Sequence, residues 1–216
     1  MITKYGYVTA GIFVSIAIVA LIFSQFLGNN YFRGSLSLLS ILLLVFTLYF
    51  FRDPDRNIPN LDNVIISPAN GKVLIVKKIE SNGFIDGEAW QVSIFMSPLD
   101  VHVNRIPIDG IVKFIRYVKG EYLVAFHDKA DERNERSELG IESKYGNVFF
   151  TQVAGFVARR IVYELQEGDT VKMGKRFGMI KFGSRVDIVV GLDWNIKVKE
   201  NDIVIAGESI IFEHNK

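Results

Sequence analysis

A serine that follows a glycine can attack the carbonyl in front of it. Gly183-Ser184 stands in Phe182-Gly183-Ser184-Arg185-Val186-Asp187, behind the apolar run 177–182 and with 33 residues from Ser184 to the C-terminus. Glycine has no Cβ, so the peptide can adopt a strained geometry and its carbonyl is open to the hydroxyl. An N-to-O acyl shift at this bond gives an ester. Elimination leaves dehydroalanine, and hydrolysis then leaves a pyruvoyl group and ammonia. A cut at Gly183-Ser184 by this route would let the chain make its own carbonyl cofactor. A bare Gly-Ser is usually an ordinary turn, so its weight depends on what accompanies it.

Such a cut needs a base near the Ser184 hydroxyl. Asp100 and His102, in Ser97-Pro98-Leu99-Asp100-Val101-His102-Val103-Asn104-Arg105, are two apart. In an extended segment both side chains point the same way. A carboxylate beside an imidazole sets its tautomer and stabilises its cation, which is the logic of a serine triad with Ser184 as third member. The bland alternative is a pair capping a turn after Pro98. His127 reads as a polar residue at a loop edge, and His214 lies too near the terminus to be a good base. Asn134-Glu135-Arg136 fits a buried salt-bridge cluster better than a contact to a phosphate, although arginine suits bidentate phosphate binding.

Composition removes other chemistries. The 216 residues hold no cysteine, so disulfides, thiol nucleophiles and Cys-based metal sites are excluded. No His-x-His or His-x-x-x-His spacing occurs, and no metal is expected. With 25 basic and 24 acidic residues the chain offers no strong field for nucleic acid.

The elements that must position these residues fall into two parts. Residues 1–51 contain no acid and only Lys4 and Arg33 as bases. Residues 7–27 carry no charge and are long enough to cross a hydrocarbon core. A polar turn is expected over 28–34, then a second apolar run, 35–51, at the short end of the spanning range. A hydrophobic helical hairpin is the expectation, with a re-entrant or interfacial second helix as the alternative. No small-x-small cleavage site follows the first run, so a retained anchor is favoured over a signal peptide. Lys4, Arg52 and Arg56 flank the hairpin and only Arg33 sits in its loop, which puts the domain at 52–216 on the cytoplasmic side.

From Ile65 onward, short β-branched and aromatic runs predict strands over 72–76, 90–95, 110–115 and 148–153, bounded by Asn-Gly and Asp-Gly turns. Their spacing predicts a sandwich or barrel. The charged stretch 128–139 reads as a solvated loop or short helix, and 155–162 as a helix or a strand. The fold class is therefore β-rich α+β: a sandwich- or barrel-like soluble domain behind a helical hairpin.

In chain order, FFRDPDR, SPANGKV, FMSPLDVHVNR, NERSE, QVAGFVARRIV and GKRFGMIKFGSRVD resemble the phosphatidylserine decarboxylase proenzymes, in their short membrane-associated branch. The resemblance covers about residues 50–190. It implies a pyruvoyl-dependent enzyme. The pyruvoyl group derives from Ser184, and the substrate amine condenses with it as a Schiff base. It also implies cleavage into a β chain, 1–183, and an α chain, 184–216, that stay together, with phosphatidylserine in the cell membrane as substrate. Further self-association is left open. Asn70 departs from the family's usual aspartate, and the further histidine that larger members use in processing has no obvious counterpart. Two other readings stand beside this one: a membrane-tethered, non-catalytic β-sandwich adaptor, and an inactive homologue that never cuts itself.

Overall fold

The computed structural model describes residues 1–80, 83–121, 134–155, 160–181 and 184–214. The chain falls into two compact units, Met1–Pro54 and Asp55–Lys216.

The first unit is a pair of helices, α1 (Tyr7–Ser24) and α2 (Asn30–Phe50). Both are long and apolar enough to cross a membrane, α1 together with the single turn that precedes it. Their outer surfaces expose Ile12, Ile16, Val19, Leu38, Leu42 and Val45, which would be costly in water and suits lipid. The buried residues are mostly small: Ala10, Ala17 and Ser24 on α1, Ser40 and Thr47 on α2, with Phe50 at the end of α2. Each small-residue series repeats every seven residues, the spacing of a left-handed helix pair, and small side chains let the backbones approach. Ser40 and Thr47 return their hydroxyls to Leu36 O and Leu43 O of their own helix. Ser24 and Ser37 share a hydrogen bond of 2.7 Å between the helices.

The second helix is longer than its apolar run. It begins at Asn30, so the expected turn over 28–34 shrinks. Asn29 caps it by accepting from Tyr31 N at 2.9 Å and Phe32 N at 3.3 Å. Arg33, which argued for a loop, lies in the first turn and donates to Asn30 Oδ1. The cap outweighs the charge, and α2 reaches 21 residues.

The second unit is built of strands. They are β1 (Val64–Ile66), β2 (Gly71–Ile79), β3 (Ala89–Met96), β4 (Val103–Arg105), β5 (Gly110–Val118), β6 (Arg136–Ser143) and β7 (Gly146–Ala154). They continue as β8 (Arg160–Tyr163), β9 (Thr170–Val171), β10 (Arg176–Lys181), β11 (Ser184–Gly191), β12 (Trp194–Ile196), β13 (Ile203–Val204) and β14 (Ile210–His214). Among the described residues, eight form one sheet in the order β13-β2-β3-β11-β7-β6-β5-β9. Two three-stranded sheets, β4-β10-β8 and β1-β14-β12, complete it. The β-rich α+β class expected from the sequence is the one that forms.

One face of the large sheet builds the main core, with Val92, Ile94, Leu139, Phe150, Val186 and Ile188 all inaccessible to solvent. Alternation along the strands decides this, since residues two apart share a face. Gly71 is required where β2 leaves the Ser67–Asn70 turn: its φ is +155°, and a Cβ there would lie 1.9 Å from Phe95 O.

The charged stretch behaves differently from expectation. Residues 122–133 lie outside the described residues, but Arg136 onward is strand β6. Glu138 there is only 6% exposed. Its Oε2 accepts from Arg116 Nε at 2.6 Å and its Oε1 from Arg136 Nε at 2.8 Å. Neighbouring cations let a carboxylate occupy a covered strand position that polarity alone would assign to a loop. Likewise 160–163 is strand, while 156–159 lies outside the described residues.

Candidate functional site

Ser184 opens β11, the strand between β3 and β7, and pairs with Met96 on one side and Ala154 on the other. It is fully buried. Its hydroxyl donates to Met96 Sδ at 3.2 Å. A thioether accepts a hydrogen bond but is far too weak a base to take the proton, so this contact orients the hydroxyl without activating it. Gly183 lies outside the described residues.

Met96 ends β3, and the chain turns directly toward the other two candidates. Asp100 N donates to Ser97 O at 2.8 Å. Asp100 Oδ2 accepts from Ser97 N at 2.8 Å. The extended geometry expected across Asp100 and His102 does not form; Asp100 closes a turn with its carboxylate, as aspartates do. His102 is fully buried. Its Nδ1 lies 2.9 Å from the main-chain oxygen of Asp100. A carbonyl only accepts, so Nδ1 carries the proton and the lone pair of the neutral ring sits on Nε2. The Asp100 main-chain carbonyl thus fixes this tautomer. The carbonyl of His102 accepts from Ile180 N at 3.4 Å, beside the end of the strand that leads toward Ser184.

Beyond His102 runs a chain of buried uncharged groups. Asn104 Nδ2 donates to Pro68 O at 3.3 Å and lies 3.8 Å from Met96 Sδ. Asn104 Oδ1 accepts from Gln152 Nε2 at 2.8 Å. Gln152 Oε1 accepts from Ser137 Oγ at 2.7 Å. All three residues are fully buried. Asn134 Nδ2 holds Ala154 O, on the neighbour of Ser184, at 2.7 Å. Four of the sequence motifs therefore meet around one serine. Reading the sequence missed Met96, Asn104, Gln152 and Ser137. The one signal was that Gln152 holds an inward position between apolar Phe150 and Ala154.

The opposite face of β11 is charged. Arg185 Nη2 donates to Asp187 Oδ2 at 2.8 Å, and Nε lies 2.8 Å from Oδ1. Arg185 is 1% exposed. Arg136 joins the Glu138 cluster described above, the structural alternative weighed for Asn134-Glu135-Arg136. Lys181, three residues before Ser184, is buried, and that burial together with the charge of Arg160 holds its ammonium pKa below the usual lysine range.

Other residues lie elsewhere. His127 is outside the described residues. His214 bonds Asp193 at 3.0 Å in a ring cluster with Trp194 and Tyr145, beyond the other end of β11. Asn70 keeps its turn: its Oδ1 accepts from Arg56 Nη2 at 2.9 Å and from Ala206 N at 3.2 Å. A cleft of about 830 Å³, lined by Asp62, Asp109, Lys144 and Lys172, contains none of Ser184, Asp100 and His102.

The phosphatidylserine decarboxylase family model matches residues 43–212. The chain is 46% identical over 211 residues to the phosphatidylserine decarboxylase proenzyme of Chlorobium limicola, covering 98% of this chain and 99% of that one. It is 47% identical over 182 residues to the proenzyme of the same name from Salinibacter ruber, covering 83% of this chain and 80% of that one. With that of Chlorobaculum tepidum it shares 50% over 168 residues, 78% of this chain and 77% of the relative. On these matches, and with its motifs gathered around one buried serine, the chain belongs to the phosphatidylserine decarboxylase family.

Proposed function

We propose that this chain is a self-processing decarboxylase that converts phosphatidylserine to phosphatidylethanolamine and CO₂ with a pyruvoyl group made from Ser184. The observation that carries the reading is the place of Ser184. It is fully buried at the first position of a central strand. Its neighbour strands pair with β11 along nearly its whole length. A cut before Ser184 leaves that ladder whole, so residues 1–183 and 184–216 stay together as β and α chains.

In the cut, Ser184 Oγ bonds to the Gly183 carbonyl carbon as the Gly183–Ser184 C–N bond breaks, and the freed nitrogen takes the proton. Loss of the Ser184 α-hydrogen then expels the Gly183 carboxylate from Cβ. One water enters, one ammonia leaves, and a ketone remains at the head of the α chain. Neutral His102, with its lone pair on Nε2, is the group assigned to take the Ser184 proton. Asp100 holds the ring through its carbonyl and the turn through its carboxylate. A pyruvoyl group suits the position, because it ends in a methyl where serine carries Oγ, and Met96 offers that methyl a thioether.

A pyruvoyl group at Ser184 would supply a carbonyl for the substrate amine and a sink for the electrons freed as CO₂ departs. The α-carbon must then gain one proton, and His102 Nε2 is assigned to take a proton from the substrate ammonium as the amine condenses and to return it there. The apolar hairpin keeps the domain at the surface where a diacyl substrate resides, raising its effective concentration. Basic residues at both ends of the hairpin favour the cytoplasmic side.

Intact mass of the full chain purified from membranes tests this. The expected result is two fragments split after Gly183, the smaller one blocked and carrying pyruvoyl mass, with Ser184→Ala uncut and inactive. An uncut wild-type chain, or a cut and active Ser184→Ala chain, overturns it.

A further inference from the structure

Fully buried polar side chains in a sheet core are costly unless each is satisfied, and satisfied networks fix one arrangement. The Ser137–Gln152–Asn104 chain has a fixed direction. Asn104 Nδ2 faces Pro68 O, which can only accept, so Asn104 Oδ1 must face Gln152 Nε2. Gln152 Oε1 is then left to accept from Ser137 Oγ. The chain's last N–H group is thereby aimed at Met96 Sδ, the atom that also receives the Ser184 hydroxyl.

We infer that Asn104 is a positioning residue for self-cleavage: through Met96, the Asn104–Gln152–Ser137 chain sets the orientation of the Ser184 hydroxyl before attack. The inference rests on the self-processing reading given above. Met96 is unbranched and has freely turning bonds, so packing alone leaves its sulfur several positions. The Asn104 amide selects one of them. Asn104 also binds the Ser67–Asn70 turn through Pro68 O, which Arg105 N shares at 2.9 Å. The amides do this without a charge, so they orient the hydroxyl without competing for its proton. Attack on an adjacent carbonyl depends steeply on such orientation.

The test follows cleavage of freshly synthesised full-length chain by intact mass, beside a thermal melt of each variant. Asn104→Asp keeps shape and the acceptor but replaces the donor. It should slow cleavage about tenfold, the scale of one lost hydrogen bond at the reacting group. Met96→Leu should slow it by a similar factor. If Asn104 acts through Met96, the double variant is no slower than the slower single one. A purely structural role would instead multiply the two effects. Should Asn104→Asp fail to fold, Ser137→Ala, at the far end of the chain of bonds, should still slow cleavage severalfold at a near-normal melting temperature. Wild-type cleavage rates in Asn104→Asp or Ser137→Ala, or multiplied effects in the double variant, overturn the inference. A wild-type chain that never cuts overturns the self-processing reading instead.

Discussion

Strands β6, β7 and β11 bury polar side chains on both faces. On the inward face Ser137 and Gln152 join Asn104 in a chain of bonds with no formal charge. On the outward face Glu138, Thr151 and Asp187 stand in one row across the same strands, with Arg136, Arg116 and Arg185 as partners. The neutral face is the one that carries Ser184. A full charge there would favour one protonation state of the serine and its base, whereas amide dipoles orient groups and leave their protons alone. The charged face does another task. A slip of one residue would drive Arg185 and Asp187 into the apolar core and turn Ser184 outward. The ion pairs make that register costly, so charge on one face fixes the place of Ser184 on the other.

The largest effect should come from breaking the charged face. Asp187→Leu leaves Arg185 covered without this carboxylate and should cost about 3–5 kcal/mol. Arg185→Met with Asp187→Leu should recover most of that loss, because two apolar side chains need no pairing. Denaturant titration of the full chain in detergent measures both. A single variant as stable as wild type would show that the register is held elsewhere.

The register argument also explains what the sequence could disclose. Strand positions were legible because apolar alternation is a local signal, as at Val148, Phe150 and their neighbours in β7. Strand β6 was not, since the burial of Glu138 depends on Arg116, twenty-two residues away. The serine, its glycine and the turn bearing Asp100 and His102 were legible as residue types and motifs. The bond from Ser97 N to the Asp100 carboxylate was not, because two-residue spacing implies a shared direction only where the chain is extended, and this stretch turns at Asp100. Asn104 and Gln152 are 48 residues apart, and only the pairing of strands from separate hairpins joins them.

A neutral site still needs one group that moves protons. His102→Gln keeps an N–H for the Asp100 carbonyl and removes the titrating nitrogen. Cleavage, decarboxylation or both should fall about 10²-fold. Rates of the cut and of CO₂ release check this. Wild-type values in both would remove His102 from the site and leave the neutral face with a structural role only.

The helical hairpin offers a third way to bury polarity, this time where lipid takes the place of water. Ser37→Ala removes the bond to Ser24 and should cost about 0.6 kcal/mol, the usual size of such a bond between membrane helices. Unfolding of the hairpin in lipid measures it. A loss as large as that from Asp187→Leu would mean that uncharged bonds in this chain hold structure as firmly as its buried ions.

Lys181 breaks the pattern, being a covered cation with a second cation, Arg160, paired beside it. Burial first, and Arg160 second, lower its pKa in the folded chain. The unfolded chain therefore holds this proton more tightly than the folded one. Folding is penalised in full while both states are charged. The penalty fades as pH rises from the lowered folded value toward the ordinary lysine value of about 10.4, and stability rises with it. Lys181→Met should remove the penalty and raise the melting midpoint at pH 7 by about 2–4 °C. The advantage should shrink as pH approaches 10. Melting curves of the uncut Ser184→Ala chain with and without Lys181→Met, taken across that range, isolate the effect from cleavage. An advantage that stays constant with pH would show that the gain comes from packing, and that the charge of Lys181 costs this fold nothing.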